Sequence, residues 1–553
     1  MDQDLPGAMA SGDAQAFLRE VALAVNAADF PRAHRMAREG LGRGIRNALL
    51  FQLRAHSLDA EGRLAEALAD LEVALQLAPE SSRVHNAHGE ALLKLNRQHD
   101  AIRAFDAALV RDPSFAPAHY NRGSAIEMIG ELEIAERSYR RAAALDLAYA
   151  DPRARLASLE NRRSQWPQAH ALADRALALS PGHYVAEIAR AEAFIGEKKL
   201  DEAESCLATI LDEPSRSAHE RAVALSLLAD IRDRQGRVDE AFALYSDANA
   251  LLLTEFAPRF ANGPKETARQ LVARLSLYFS ATDASAWAKP DVPGPAVKTA
   301  AAGLVFVVGF PRSGTTLLGQ ILAAHPDVVT LDEKIPLVDS IRDFIENPDG
   351  LDRLATLSQA ELSPYREKYW NHVRNFGLHL RDKVLVDKLP LNLLRLPLIA
   401  RLFPDAKIVL CIRDPRDIVF SAFRRMFAIH PFSYELLALD GTARFYGEVM
   451  RVGDLYRAKL PLHLHEIRNE DLIADFDGQT RALCEFVGIP WKESMRAFAA
   501  QSRRRIIATP SANQITSGLS GESVGLWRRY RAHLAPVLPI LQPWVDRFGY
   551  PAD

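Results

Sequence analysis

One segment of this 553-residue chain, residues 309–316 (GFPRSGTT), has the residue types and spacing needed to bind an anion. The apolar residues 304–308 (LVFVV) before it predict a strand, and the pattern after it predicts a helix that stops before Pro326. A loop between a strand and a helix points backbone N–H groups inward, and the helix dipole adds positive charge, so the loop can bind phosphate or sulfate. A simple connecting turn would not need an arginine and two threonines around its second glycine.

The loop differs from a nucleotide-hydrolysing P-loop, which reads GxxxxGK[ST]. Gly309 and Gly314 keep that spacing, but Thr315 stands at the lysine position and the cation is Arg312, inside the loop. This substitution argues against an ordinary ATPase or GTPase. A nucleotide kinase or a related P-loop phosphotransferase is the alternative enzyme, and the missing lysine is the feature that discriminates against it.

A second candidate phosphate contact comes directly after another predicted strand. Residues 407–412 (KIVLCI) form a short apolar run, and residues 413–421 (RDPRDIVFS) predict a polar turn and the start of a helix. Arginine suits phosphate because its rigid guanidinium can bind two phosphate oxygens at once. In isolation RDPRD would be interpreted as a salt-bridged turn, but its place downstream of the phosphate loop favours anion binding.

The PRSGTT sequence resembles the 5'-phosphosulfate loop of sulfotransferases that use PAPS (3'-phosphoadenosine-5'-phosphosulfate). It is most similar to the loop of tyrosylprotein sulfotransferases and of bacterial sulfotransferases with tetratricopeptide repeats. The resemblance implies that Arg312 neutralises charge at the oxygen between phosphate and sulfate. It also implies that the 5'-phosphate is held by Ser313, Gly314, Thr315 and Thr316.

The same resemblance implies further contacts with the donor. Arg413 and a serine eight residues later, Ser421, match the family's 3'-phosphate element. Ser523, in the sequence SVGLWR, matches a donor-binding serine near the C-terminus, with Arg528 or Arg529 as an additional charge. PAPS is therefore the implied co-substrate, and no metal is required.

Catalytic residues are implied in the same way. Glu333 comes after the loop helix and the sequence HPDV, where the tyrosylprotein and repeat-containing enzymes carry their catalytic glutamate, and its neighbour Asp332 is the competing candidate. Lys388, in the sequence VDKLPLN, matches a lysine that stabilises the transferring group. We expect an in-line transfer in which Glu333 accepts the acceptor's proton, while Arg312 and Lys388 neutralise the moving sulfuryl group and the leaving oxygen.

One position departs from the family pattern. The family often has a tyrosine before Glu-Asp-Leu that contacts the nucleoside, whereas Asn469 stands there in this chain. Because asparagine cannot stack on adenine as tyrosine does, we expect the adenine contact to come from elsewhere and the donor affinity to be lower. The resemblance covers roughly residues 303–550.

The N-terminal half repeats with a period of about 34 residues. Most copies have an alanine, a bulky residue four positions later and a small residue three positions after that. The copies are Ala33, Ala37 and Gly40; Ala67, Leu71 and Ala74; Ala101, Phe105 and Ala108; Ala135, Tyr139 and Ala142; Ala169, Ala173 and Ala176; Ala203, Leu207 and Ile210; and, displaced by four residues, Ala241, Tyr245 and Ala248. Three copies are followed five residues later by a proline that can stop a helix, namely Pro79, Pro113 and Pro181. The pattern resembles the tetratricopeptide repeat.

We therefore predict two domains, as expected for a chain too long for one core. About seven repeats over residues 13–253 form an all-α tetratricopeptide-repeat solenoid of helix hairpins. Residues 254–302 contain a helix from about 265 to 279 and a Pro-rich linker at 289–295, whose composition permits independent folding of the second domain. Residues 303–553 are predicted to form an α/β, P-loop-like sulfotransferase domain with a parallel sheet. We expect this domain to bind its ligand at the carboxyl ends of the strands.

The concave face of such a solenoid predicts a docking surface for a protein, a peptide or a second copy of the chain. The alternative is a scaffold that only spaces or stabilises the second domain. The acceptor stays open between a hydroxyl or amine of a protein, a glycan or a small molecule. A non-catalytic adaptor is the third hypothesis for the whole chain, and it predicts that neither ATP nor 3',5'-ADP binds.

Composition limits the partners and the location. With 68 basic and 71 acidic residues the net charge is -3, so no global positive field favours nucleic acid. Cys206, Cys411 and Cys484 lack metal-ligand spacing and suit buried thiols in a reducing compartment. The N-terminal sequence lacks the basic and apolar blocks of a signal peptide, and no apolar run is long enough to cross a bilayer, so we expect a cytoplasmic protein.

Overall fold

The computed structural model describes residues 11–261, 263, 266–288, 301–502, 519 and 521–552, and it divides into two compact units, Met1–Glu197 and Lys198–Asp553. The predicted Pro-rich linker at 289–295 lies outside the described residues. Within them, no helix has both the length and the apolar composition that crossing a membrane requires.

The N-terminal unit is built, over its described residues, from consecutive helices joined by short turns. They are α1 (Ser11–Asn26), α2 (Phe30–Gly42), α3 (Ala48–Ala60), α4 (Leu64–Leu77), α5 (Ser82–Lys94), α6 (Gln98–Arg111), α7 (Ala116–Met128), α8 (Leu132–Leu145), α9 (Ala150–Arg162), α10 (Trp166–Leu179) and α11 (Tyr184–Gly196). Helices α3, α5, α7, α9 and α11 begin at residues 48, 82, 116, 150 and 184, so their starts are spaced by the period of the sequence pattern. The predicted repeat solenoid is confirmed.

The alanine-rich triplets lie on the buried face of the second helix of each hairpin. In α6, Ala101, Phe105 and Ala108 are fully buried. Phe105 packs on Gly89 of α5, where a Cβ atom would lie 2.5 Å from the phenyl ring. Only glycine therefore lets these two helices approach so closely. Three helices of this unit end two residues before the predicted stop prolines, namely Pro79, Pro113 and Pro181.

The C-terminal unit begins with four helices and continues as an α/β region. The helices are α12 (Leu200–Asp212), α13 (Ala218–Arg234), α14 (Val238–Phe260) and α15 (Ala268–Ala281), the last being the helix predicted at 265–279. In chain order the α/β region then contains β1 (Gly303–Gly309), α16 (Thr315–Ala323), β2 (Val328–Asp332), α17 (Val338–Ser340), α18 (Gly350–Thr356), α19 (Ser363–Asn375), β3 (Val384–Lys388), α20 (Leu396–Leu402), β4 (Lys407–Ile412), α21 (Pro415–Phe423), α22 (Pro431–Tyr434), α23 (Leu439–Lys459), β5 (His463–Arg468), α24 (Asn469–Ala474), α25 (Phe476–Val487), α26 (Phe498–Ser502), α27 (Arg531–Leu534) and α28 (Leu538–Arg547). Short 3₁₀ segments include Ala284–Trp287, Pro390–Arg395, Gly521–Ser523 and Leu526–Tyr530.

The five strands form one parallel sheet in the order β2-β3-β1-β4-β5. Its central strands are apolar and buried, which is typical of a parallel sheet covered on both faces. The register aligns Gly309 with Cys411, and Asp332 with Lys388. The carboxyl ends of β1 to β4 therefore meet at one edge, and the predicted α/β fold with a parallel sheet is confirmed.

Helices α13 to α15 share the hydrophobic core of the α/β region. Val272, Leu275 and Phe279 of α15 and Trp287 just after it are buried in the same cluster as Phe306 of β1. This packing argues against independent folding of residues 303–553. The predicted domain limits follow the repeat pattern and stay a prediction, whereas the compact units place α12 to α15 with the α/β region.

Candidate functional site

The loop between β1 and α16 is a tight turn that ends at Gly314. Gly314 precedes α16 with φ +99°, and a Cβ atom there would lie 2.6 Å from Asn469 Oδ1, so this position requires glycine. Arg312 has φ +75°, a strained conformation for a residue with a side chain. Ser313 is 1% exposed, and its Oγ has no hydrogen-bond partner among the described residues. A buried hydroxyl without a partner is costly, so the loop has the form of a site completed by a ligand.

A cluster of arginines surrounds Arg312. Its Nε donates to Ser421 Oγ at 2.9 Å, and Arg413 Nη1 donates to the Arg312 carbonyl at 3.2 Å. Burial lowers the pKa of Arg312, and the positive charges of Arg425, Arg413 and Arg424 lower it further. Arg424 and Arg425 are ion-paired with Asp233 at 3.0 Å and Asp230 at 2.9 Å, so their charge is partly balanced. The charges of Arg312 and Arg413 would favour an anion bound beside them.

The two arginines of the RDPRD sequence, Arg413 and Arg416, have different partners. Asp414 accepts from the backbone N–H of Arg416 at the start of α21 and pairs with its guanidinium at 2.7 Å, so Arg416 is neutralised locally. Arg413 instead reaches the phosphate loop, and its Nε is buried without a partner among the described residues. The salt-bridged turn and the anion-directed arginine therefore coexist in one motif.

A C-terminal segment closes over Arg413. Arg413 Nη2 donates to the carbonyl of Ser523 and lies 3.9 Å from the Asp417 carboxylate. Asp417 accepts from the backbone N–H groups of Gly525 at 2.6 Å and Trp527 at 2.9 Å. Asp417 thus holds the segment that brings Ser523 to the site, and the observed contact of Ser523 is through its backbone carbonyl.

Lys388 joins the two candidate bases. Its Nζ is completely buried at the end of β3, 2.8 Å from Asp332 Oδ1 and 2.9 Å from Glu333 Oε1. Burial opposes the charge of Lys388, but attraction by the two carboxylates outweighs it and raises the pKa. Asp332 has a second partner, Gln320, whose Nε2 donates to Oδ2 at 3.2 Å. Glu333 has φ +51°, and its backbone N–H donates to the Lys388 carbonyl at 2.8 Å, so its position is fixed by backbone as well as side chain.

Asp387, the neighbour of Lys388 in β3, has its own set of buried partners. It is fully buried and accepts from the Tyr369 hydroxyl at 3.0 Å and from Asn392 Nδ2 at 3.2 Å. Burial raises the pKa of Asp387 to about 7, although the Tyr369 hydrogen bond and the charge of Arg395 work in the opposite direction. The end of β3 therefore depends on a carboxyl that is easily protonated.

The structure gathers the predicted site residues at the carboxyl edge of the sheet. Arg312 of the loop is hydrogen-bonded to Arg413 and to Ser421, and Glu333 forms an ion pair with Lys388. Their roles remain predictions. Sequence reasoning did not single out Asp417 or the pair Arg424 and Arg425. The two arginines come shortly after the RDPRD element, in the basic sequence FRRMF, which was a usable signal.

Two family models match parts of this chain. The sulfotransferase family matches residues 305–493, which contain the phosphate loop, both candidate bases and the RDPRD element, and the tetratricopeptide repeat matches residues 86–152. Residues 305–493 are therefore similar to the sulfotransferase family. They include Asn469 in place of the family's frequent tyrosine, and the structure packs that asparagine against Gly314 of the phosphate loop.

Relatives with curated sequences include protein-tyrosine sulfotransferases. Protein-tyrosine sulfotransferase 1 of Danio rerio is 30% identical over 206 residues, which are 35% of this chain and 55% of that protein. The Homo sapiens protein of the same name is 31% identical over 200 residues, covering 35% of this chain and 53% of that protein. An uncharacterized protein of Aquifex aeolicus is 27% identical over 364 residues, covering 62% of this chain and 44% of that protein. The chain thus spans about half the length of these relatives.

Among solved structures, the sulfotransferase domain of the Synechococcus PCC 7002 olefin synthase covers 44% of this chain and 90% of that chain, with 22% identity and a TM-score of 0.31. A tetratricopeptide repeat protein from Parabacteroides merdae covers 44% of this chain and 94% of that chain, with 16% identity and a TM-score of 0.35.

Proposed function

We propose that this protein is a PAPS-dependent sulfotransferase that transfers a sulfuryl group to a hydroxyl or amine of an acceptor. The observation that carries the proposal is the contact between two arginines that follow different strands. Arg312, after β1, donates to Ser421 of α21, and Arg413, after β4, donates to the Arg312 carbonyl. Arg312 follows β1 and Arg413 follows β4, so the two cations could bind separate charged groups of one anion.

The residues present suit PAPS, which carries a 5'-phosphosulfate and a separate 3'-phosphate. The buried Ser313 Oγ and the N-terminus of α16 would hold the 5'-phosphate, together with Gly314, Thr315 and Thr316. Arg413, Ser421 and the segment containing Ser523 would hold the 3'-phosphate. Two orphaned polar atoms, Ser313 Oγ and Arg413 Nε, support this assignment because each gains a partner from a bound phosphate.

The proposed chemistry divides between Glu333, Lys388 and Arg312. PAPS supplies an activated sulfuryl group, and 3',5'-ADP leaves with the electron pair of the broken sulfur–oxygen bond. Glu333 accepts the proton from the acceptor atom as that atom forms its bond to sulfur. Lys388 orients the Glu333 carboxylate, and Lys388 and Arg312 offset the negative charge on the transferring group and on the leaving oxygen. Asp332 stays the alternative base, since it lies equally close to Lys388.

The decisive test is ligand binding followed by transfer. We expect 3',5'-ADP to raise the melting temperature of the protein and ATP to leave it unchanged. Radiolabelled PAPS incubated with the protein and a host-cell extract should then label one fraction of the extract. A melting temperature raised by ATP alone would indicate a phosphotransferase. A melting temperature that neither nucleotide changes would indicate a non-catalytic adaptor.

We also propose that the repeats bind the acceptor. The support is the confirmed solenoid architecture, since stacked helix hairpins commonly present a binding surface. A fragment of residues 198–553 should retain 3',5'-ADP binding and transfer to a small phenol, but should lose transfer to a large natural acceptor because remote binding energy is removed. Equal activity of the fragment and the full chain toward the large acceptor would reject this docking role.

A further inference from the structure

Two consecutive carboxylates at the end of β2 share one buried ammonium. Lys388 Nζ lies 2.8 Å from Asp332 Oδ1 and donates a hydrogen bond to Glu333 Oε1 at 2.9 Å, and the lysine side chain is completely buried. Both carboxylates are candidates for the base, but their remaining contacts differ.

Asp332 is held at both oxygens. Its Oδ1 is buried beside Lys388, and its Oδ2 accepts from Gln320 Nε2 at 3.2 Å. Gln320 is a buried residue of α16, and its neighbour Gly319 faces the same pair, because a Cβ atom there would lie 3.7 Å from Lys388 Cε and 4.0 Å from Asp332 Oδ1. Asp332 and Lys388 are therefore packed against the helix that begins at the phosphate loop.

Glu333 keeps one oxygen available. Its side chain is 41% exposed, Oε1 accepts from Lys388, and Oε2 has no partner among the described residues. A general base must come within hydrogen-bond reach of the acceptor's proton. Glu333 can do so with Oε2, whereas Asp332 would first have to give up Gln320 or Lys388.

The charges around Lys388 change during the proposed transfer. Burial opposes the charge of Lys388, but Asp332 and Glu333 outweigh it and raise the pKa. The other titratable neighbours are Cys411 of β4, a thiol kept neutral because burial raises its pKa, and Asp387, whose side chain points to the opposite face of the sheet. Once Glu333 has accepted a proton it is neutral, so Asp332 is left to balance the ammonium, and a buried charge without a partner is costly.

We infer that Asp332 is a positioning residue and not the base: it holds Lys388 in place and keeps a negative charge beside that ammonium while Glu333 takes up the acceptor's proton. Gln320 contributes by holding Asp332. The inference rests on the proposed function. An ammonium has three N–H groups, so the contacts with the two carboxylates leave one donor for an oxygen of the transferring sulfuryl group.

The pH dependence of transfer separates a base from a positioning residue. Turnover from radiolabelled PAPS to a small phenol is measured against pH in the wild type, in Glu333→Gln and in Asp332→Asn. Activity is lost at low pH where the base is protonated, and at high pH where Lys388 loses its proton. The titration of the phenol itself is the same for every variant and cancels in the comparison.

We expect Glu333→Gln to lose the acidic limb of this profile and Asp332→Asn to keep it. Asp332→Asn should lower kcat about tenfold, while Kd for 3',5'-ADP, which lacks the sulfuryl group, stays within about twofold of the wild type. It should also move the basic limb to lower pH, because one of the two carboxylates that raise the pKa of Lys388 is gone.

Two further variants serve as controls. Asp327→Asn removes an exposed carboxylate directly before β2 and should leave kcat and both limbs unchanged. Gln320→Met keeps the volume but removes the donor to Asp332, so it should lower kcat less than Asp332→Asn does and have no further effect in that background. If Asp332→Asn does not fold, Gln320→Met, which retains both carboxylates, provides the comparison: a lower kcat with the acidic limb kept.

Three results would overturn the inference. They are loss of the acidic limb in Asp332→Asn, a basic limb that does not move in this variant, and a loss of 3',5'-ADP affinity as large as the loss of kcat. The first would make Asp332 the base, and the other two would show that it does not act through Lys388. A wild-type protein that transfers no label from PAPS would instead overturn the proposed function.

Discussion

The shared core of α15 and the α/β region makes truncation a sharp test of the domain organisation. Removing residues 1–293 would delete Val272, Leu275, Phe279 and Trp287, which are at most 1% exposed. Burying a side chain of this kind stabilises a protein by about 1.5–3 kcal/mol, so their loss costs about 6–12 kcal/mol in total. The same cut removes Asp233 and leaves the buried Arg424 without its counter-charge, which costs about 3–5 kcal/mol more.

Domains of this size have a free energy of unfolding of about 5–15 kcal/mol. We therefore expect the fragment 294–553 not to fold, and the fragment 198–553, which keeps α12 to α15, to fold. Far-UV circular dichroism during heating measures the folding of each fragment, and titration with 3',5'-ADP measures its nucleotide binding. Only the longer fragment should melt cooperatively and bind the nucleotide. A cooperative transition of the shorter fragment within about 5 °C of the longer one would show that the core contribution of α15 has been overestimated.

Three further predictions concern single residues. Arg413→Ala should weaken 3',5'-ADP at least tenfold and adenosine 5'-phosphosulfate much less, because a charge-assisted phosphate contact contributes about 1.5–3 kcal/mol; equal weakening in calorimetry would remove Arg413 from the 3'-phosphate. Glu333→Gln should lower turnover about 100-fold with donor affinity preserved, and loss of turnover in Asp332→Asn but not in Glu333→Gln would identify Asp332 as the base. Asp387 has a folded-state pKa raised to about 7, so its protonated form stabilises the fold at low pH and this contribution is lost as the pH rises through 7. The stability of the wild type relative to Asp387→Asn, measured by urea unfolding, should therefore increase by about 2–3 kcal/mol from pH 8 to pH 5, and an unchanged difference would contradict the raised pKa.

Local sequence patterns were sufficient for the parts of the site that lie next to one another along the chain. The strand, loop and helix from Gly303 to Ala323 could be predicted because β-branched residues, two spaced glycines and a helical pattern follow each other directly. The parallel sheet could be predicted from the alternation of strands and helices. The repeat period indicated the solenoid because every hairpin buries the same alanine face.

Contacts between distant segments could not be predicted in this way. Arg424 and Asp233 are 191 residues apart, and neither sequence neighbourhood distinguishes the pair from exposed charges. Ser523 was predicted as a donor-binding serine, and this role stays a prediction. Its contact with Arg413 is made by its backbone carbonyl, which could not be predicted from the residue type. Tertiary packing decides such contacts, and a pattern within one segment contains no information about the other.

One irregularity in the repeat pattern nevertheless marks the junction between α13 and the α/β region. Helix α13 begins at residue 218, one full period after α11 begins at residue 184, so it starts in register. It is 17 residues long, whereas α11 has 13 residues, and α14 consequently begins four residues later than the period requires. The additional residues, 231–234, amount to about one helical turn. Asp233 lies within this turn, and Asp230 is the residue directly before it. The four-residue displacement of the last alanine triplet is thus the sequence signature of the added turn that carries Asp233 to Arg424, whereas Asp230, which pairs with Arg425, would also belong to a helix of regular length.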